Sequence, residues 1–149
     1  MKIRKYKKND YYAILDIYAA SKLDELRYED VKFELLPLDR DMKRLGQLLE
    51  SEIYIYEHDG VIGYCANCGS EIRALFVHPK SRGKGIGKCL LEFLLSKIPG
   101  PATLYVAKSN APAKNLYTQF GFEVVEEFET SYNGLPVFAN KMIRSTKNG

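Results

Sequence analysis

Histidine and cysteine are scarce in this chain, and each scarcity closes off a chemistry. His58 and His78 are the only histidines and stand apart from one another, which argues against a metal centre. Cys65, Cys68 and Cys89 are odd in number and follow no secretory signal, so a disulfide framework is not expected. Cys65-x-x-Cys68 has the spacing of a zinc or redox pair, but no second Cys or His pair accompanies it, and it reads as incidental. No apolar run approaches membrane-spanning length and the N-terminus, MKIRKYKK, is charged, so a soluble cytoplasmic protein with no membrane partner is expected. A surplus of one charge is missing too: the net charge is +3 and the pI about 8.6, with basic residues spread along the chain apart from Met1–Lys8 and Lys80–Lys88. That balance argues against nucleic acid as the main partner.

What remains is an ordinary globular composition. The 149 residues, 46% hydrophobic, suffice for one core, and a single domain over residues 1–149 is expected, with no internal repeat or linker. Ile3 to about Tyr6 suggests a first strand, and Asn9 or Asp10 can cap a helix whose apolar face is Tyr11, Ile14, Leu15 and Tyr18. Leu23–Pro37 has no clean period and reads as broken helix or a mobile loop beside a site; Leu38, Met42, Leu45 and Leu49 then recur at helical spacing. Ile53–His58 and Val61–Ala66 flank Asp59-Gly60, a strong hairpin signal, and a turn at Asn67–Ser70 leads into a strand over Glu71–Val77. Thr103–Ala107 is a further strand, Asn110 opens a helix that Gly121 ends, and Phe122–Phe128 and Pro136–Ile143 are two last strands joined around Asn133-Gly134.

One stretch changes character twice. Leu75–Val77 is β-prone, Pro79 stops it, Ser81–Gly87 is rich in glycine, and Ile86, Cys89, Leu90, Phe93 and Leu94 follow at i, i+3, i+4, i+7 and i+8, the core stripe of a helix. Glycines at a helix start free backbone amides to point outward where the helix dipole favours negative charge, and Arg82, Lys84 and Lys88 add mobile positive charge. Two readings stand side by side: a cradle for a di-ester or pyrophosphate, or a tight strand-to-helix connection with solvated lysines. Walker A spacing fails, since Arg82 and Cys89 stand where Gly and Ser or Thr are needed, and a dinucleotide fingerprint fails because the glycines run 83, 85, 87.

The pattern Val77-x-Pro79-x-x-Arg82-x-x-Gly85-x-Gly87, followed by Asn110-x-x-Ala113-x-x-Leu116-Tyr117-x-x-x-Gly121-Phe122, resembles the GNAT superfamily of acetyl-CoA-dependent N-acetyltransferases. The resemblance extends over Tyr54–Phe122. It implies an α/β fold with a mixed, mostly antiparallel sheet of six or seven strands flanked by about four helices, in which Glu71–Val77 and Thr103–Ala107 splay apart around the cofactor. It implies that Arg82, Gly83, Lys84, Gly85, Ile86, Gly87 and Lys88 hold the pyrophosphate of acetyl-CoA, that Leu75 and Val77 offer backbone groups to the pantetheine arm, and that Asn110 helps position it.

The resemblance also places the Tyr117 hydroxyl near the cofactor sulfur as general acid; without the motif, Tyr117 would be read as a core tyrosine. Glu71 is the first candidate base, by analogy with the histone-acetylating branch of the family. Arg73 stands two residues on, on the same strand face unless a bulge intervenes, and pairing with it would hold Glu71 ionised and weaken it as a base; water chains are the alternative. Tyr28, Phe33, Tyr64, Tyr132 and Phe138 are candidates for the acceptor pocket, and Asp24, Glu25, Glu29 and Asp30 either attract a cationic amine or form a solvated face. The implied activity is acetyl transfer to a primary amine of a small molecule or of a protein lysine or N-terminus. A non-catalytic CoA-sensing domain is the alternative, with an aminoacyl-tRNA-acetylating toxin third. The acceptor and the oligomeric state, a homodimer included, stay open.

Overall fold

The computed structural model describes residues 2–145; Met1, part of the basic N-terminal arm, lies outside the described residues. Seven strands, β1 (Ile3–Lys5), β2 (Glu52–Glu57), β3 (Val61–Cys68), β4 (Glu71–Val77), β5 (Ala102–Ala107), β6 (Phe122–Tyr132) and β7 (Leu135–Arg144), form one sheet in the order β1-β2-β3-β4-β5-β7-β6. All pairings are antiparallel except β4 with β5. The helices are α1 (Tyr11–Ser21), α2 (Met42–Leu49), α3 (Ile86–Lys97) and α4 (Ala111–Gln119). No described helix is long and apolar enough to cross a membrane.

The β2–β4 meander forms where the turn residues require it. Asp59 and Gly60 both adopt positive φ, 53° and 103°, in the three-residue loop His58–Gly60 that closes the hairpin of Glu57 with Val61. Helix α3 covers one face of the sheet with Ile86, Leu90, Leu91 and Leu94 against Tyr54, Cys65, Leu104, Phe122 and Met142. Helices α1 and α2 cover the other, where Ile14, Ile17, Tyr18 and Leu48 meet Ile55, Tyr64, Ala74 and Phe76.

Several elements differ from expectation. The buried stripe of α3 is rotated, so that Leu91 is buried and Cys89 is exposed rather than facing the core. Asp10 does not cap α1; its carboxylate takes the Lys7 amide at 2.7 Å and both guanidinium nitrogens of Arg4 at 2.8 Å, tying β1 to the helix. The segment after α1 is a 3₁₀ turn, Lys22–Leu26, followed by extended chain, and it is pinned. Leu26 and Phe33 pack with Tyr132 and Val137, the Tyr132 hydroxyl accepts from Leu36 N at 2.8 Å and donates to Leu36 O at 3.2 Å, and Asn133 Nδ2 donates to Glu34 O at 3.0 Å.

Candidate active site

The sheet opens between β4 and β5. They pair at one position only, Glu71 with Thr103, while β5 keeps its antiparallel pairing with β7 through Ala107. Beyond that point β4 has a free edge. His78 N donates to Ile62 O of β3 at 2.8 Å, and alternate residues of a strand aim their backbone groups at opposite edges, so Val77 and Leu75 aim theirs into the opening.

On the α3 side the opening widens into a cavity of about 330 Å³ lined by Leu75, Val77, Arg82, Gly83, Gly85, Ile86, Gly87, Asn110 and Tyr117. Gly83 and Gly85 have φ of 79° and 76°, and the space where a Cβ would sit is open at both. This turn leads straight into α3, where the first bond back to the loop is Cys89 N to Gly85 O at 3.0 Å. The amides of Gly83 through Lys88 therefore have no acceptor among the described residues. Lys84 and Lys88 are exposed and do not line the cavity. Arg82 is held at its rim, with Nη1 on Asp24 Oδ2 at 2.6 Å and Nε on Val77 O at 3.3 Å. Asn110 caps α4, its Oδ1 accepting from Ala113 N at 3.4 Å, which leaves its amide nitrogen for the cleft. Unpaired amides at a helix start, a free strand edge and an unused amide donor fit the pyrophosphate and the peptide-like arm of acetyl-CoA.

A second cavity of about 310 Å³ lies in the opening itself, between Ala74–Phe76 and Leu104–Val106, and is shared by Asn110, Tyr117, Lys22, Glu25 and Arg44. It shares Lys22, Arg44 and Tyr105 with two pockets on the α1–α2 side, of about 370 and 180 Å³. Tyr117 lies at the junction of the first two cavities, its ring edge-on to Phe122 with centroids 5.9 Å apart, and its hydroxyl has no partner among the described residues. Burial, and secondarily the charge of Glu25, push its pKa well above that of a free tyrosine, so it holds its proton at neutral pH.

Glu71 reaches the acceptor side because of a bulge. Ala66 pairs with Ala74 and Asn67 with Ile72, so Arg73 is the extra residue, and the alternation of β4 shifts there. Leu75 and Val77 pack with the α3 cluster, whereas Glu71 lines both pockets on the opposite face. The pairing with Arg73 forms despite the bulge, Nε to Oε1 at 3.2 Å, and Arg73 also binds Glu50. Glu71 does not line the cavity that holds Tyr117; Glu25 does, with Oε1 on Lys22 Nζ at 2.9 Å.

Of the aromatic residues expected at the acceptor pocket, Tyr64 and Tyr132 line it, Phe33 lies behind it in the core, and Tyr28 and Phe138 are exposed and outside it. Tyr18, Lys22, Arg44, Gln47 and Tyr105 were not legible as site residues. Of these only Tyr105 carried a signal, as an aromatic on the strand bordering the opening.

The acetyltransferase (GNAT) domain family matches residues 50–124, half of the chain. The chain belongs to the GNAT acetyltransferases. The family's cofactor is acetyl-CoA, and the cleft has the groups to hold it. Among its relatives, the peptidyl-lysine N-acetyltransferase YjaB of Salmonella typhimurium is 34% identical over 84 residues, which cover 56% of this chain and 57% of that protein. The chain thus spans under two thirds of that relative's length. The peptidyl-lysine N-acetyltransferase YiaC of Escherichia coli is 29% identical over 83% of this chain and 84% of its own. A GCN5-related N-acetyltransferase from Rhodopseudomonas palustris superposes with a TM-score of 0.80 at 21% identity, over 97% of this chain and 94% of the other. The acetyltransferase yncA of Salmonella typhimurium, solved with its cofactor acetyl-CoA, gives 0.68 at 22% identity, over 100% and 95%.

Proposed function

We propose that this protein is an acetyl-CoA-dependent N-acetyltransferase acting on a primary amine, a single domain over residues 1–149 working in the cytoplasm. The observation that carries this reading is the succession of cavities from one face of the sheet to the other, each sharing lining residues with the next. The cavity with the glycine turn on one face adjoins, at Tyr117, the cavity in the opening, which shares Lys22, Glu25, Arg44 and Tyr105 with a pocket on the other face. A domain that only sensed CoA would have no use for the second opening. The names of the YjaB and YiaC relatives support an amine acceptor, with protein lysine among the classes to test.

When bound, acetyl-CoA supplies an acetyl group activated as a thioester. The amides from Gly83 to Lys88 and Arg82 bind its pyrophosphate, Leu75 and Val77 extend their strand edge to the pantetheine arm, and Asn110 orients that arm. An amine with a reference pKa of about 10.4 arrives protonated. Glu25, whose Oε2 has no partner among the described residues, takes that proton in the cleft. Glu71, neutralised by Arg73, shapes the acceptor mouth. As the new C–N bond replaces the C–S bond, Tyr117 donates its hydroxyl proton to the departing sulfur and is reprotonated by the second proton that the acetylated nitrogen loses.

A thiol-release screen with acetyl-CoA against polyamines, free amino acids, aminoglycosides and lysine peptides tests this. Release that depends on one acceptor class is expected. Tight CoA binding with no release from any acceptor would replace the reading with that of a CoA sensor.

A further inference from the structure

The pocket of about 180 Å³ between α1, α2 and β4 presents more unused hydrogen-bond donors than a simple amine requires. Its charged lining is Lys22, Arg44 and Arg73 against Glu71. Each cation has a carboxylate partner, Arg73 with Glu71 and Glu50, Lys22 with Glu25 and Arg44 with Asp41, and what is left over is hydrogen-bonding capacity on Lys22 and Arg44. Both lie near Tyr132 of the neighbouring pocket, Lys22 Nζ 5.4 Å and the Arg44 guanidinium carbon 5.1 Å from the centre of its ring. Arg44 spends Nη1 on Asp41 at 3.0 Å, and its Nε and Nη2 have no partner among the described residues. Lys22 gives one of its three donors to Glu25.

The same pocket contains a second, independent feature. Tyr18 is 3% exposed, and its buried hydroxyl has no hydrogen-bond partner among the described residues. A buried hydroxyl left unpaired is an exception in folded proteins, and here it belongs to a residue lining the pocket that Lys22 and Arg44 also line. An ammonium group offers the Lys22 and Arg44 donors no acceptor. A carboxylate offers them and the Tyr18 hydroxyl an acceptor oxygen.

We propose that this pocket binds a carboxylate carried by the acceptor close to the amine that is acetylated, held by Arg44 and Lys22 and by a hydrogen bond from the Tyr18 hydroxyl. The inference rests on the acetyltransferase reading and narrows its acceptor. It also gives the cleft a polarity: the carboxylate enters the donor-rich pocket while the ammonium group meets Glu25 in the adjoining cavity. The carboxylate belongs either to a free amino acid or to an acidic residue flanking a peptide lysine.

The test uses the full chain with CoA for calorimetric binding and with acetyl-CoA for thiol release. Probes are free amino acids beside their carboxamides, and lysine peptides with Glu or Gln next to the lysine. In the recognised series the acid binds about tenfold or more tighter than its amide and shows a correspondingly lower KM, with kcat changed less than about threefold. Arg44→Gln makes acid and amide equal within about twofold, while Arg44→Lys retains part of the difference. Tyr18→Phe narrows the difference to about threefold without lowering the melting temperature, since it removes a hydroxyl that the folded chain does not pair. A difference confined to amino acids or to peptides identifies the source. Equal binding of acid and amide by the native chain, or binding of neither in every pair, overturns the proposal. An intact acid–amide difference without acetyl transfer overturns only the acetyltransferase reading.

Discussion

On its cofactor side the cleft is lined largely by backbone: the free edge of β4 at Leu75 and Val77, and the amides at the start of α3. On its acceptor side it is lined by side chains from α1, the 3₁₀ turn after it, α2, β4, β5 and the β6–β7 hairpin. Backbone recognition suits a ligand that never changes, because it depends on chain path and needs only glycine and a strand edge. Side-chain recognition suits a ligand that defines the individual enzyme, because Lys22, Arg44 or Tyr18 can be exchanged without altering the sheet. One half of the site is therefore read by local pattern, and the other only by proximity in space.

Four substitutions break or sharpen this contrast. The largest effect is expected at the junction: Tyr117→Phe lowers kcat by about 10² to 10⁴ with little change in CoA affinity, measured by steady-state kinetics and calorimetry. Unchanged turnover would remove Tyr117 from the chemistry. Next is Gly85→Val, which forces a β-branched residue into φ of 76°. Left-handed backbone costs roughly 1–2 kcal/mol for a non-glycine residue, so the loop reorganises, and the Kd for CoA rises about tenfold or more while acceptor specificity is retained. Tyr132→Phe acts on the other half alone. It removes both hydrogen bonds to Leu36 at a cost of about 1–3 kcal/mol, seen as a lower melting temperature, and raises the acceptor KM without changing that for acetyl-CoA. The smallest effect is expected at Asp24→Asn, which frees Arg82 from a half-exposed ion pair. Such pairs are worth about 0.2–1 kcal/mol, so CoA binds up to about fivefold tighter at low salt, with the gain fading as salt is added. Weaker binding would mean that Asp24 orients Arg82 for the pyrophosphate rather than competing for it.

The secondary structure was largely legible, since the hairpin at Asp59-Gly60, the strand Glu71–Val77 and the Asn110 cap each rest on residues within a few positions of one another. Cys89 was misplaced because its spacing from Ile86 and Leu90 fits a stripe equally well when the helix is rotated, and only the surface beneath α3 decides which rotation buries more. Leu23–Pro37 carried no period because it is held by cross-chain contacts to Tyr132 and Asn133 rather than by a face of its own.

By itself the sequence determined the local structure of one half of the cleft: a strand that stops before Pro79, a glycine turn into a helix, and a second helix opened by Asn110, because each is specified by short-range backbone preference. The tertiary structure alone decided the acceptor half. It decided that a bulge at Arg73 turns Glu71 to the opposite face from Leu75, and that Glu25 shares a cavity with Tyr117. It also decided that Lys22 and Arg44 both lie near Tyr132. The physical reason is that these contacts join residues far apart in the chain, and such pairs are set by how helices settle on a twisted sheet.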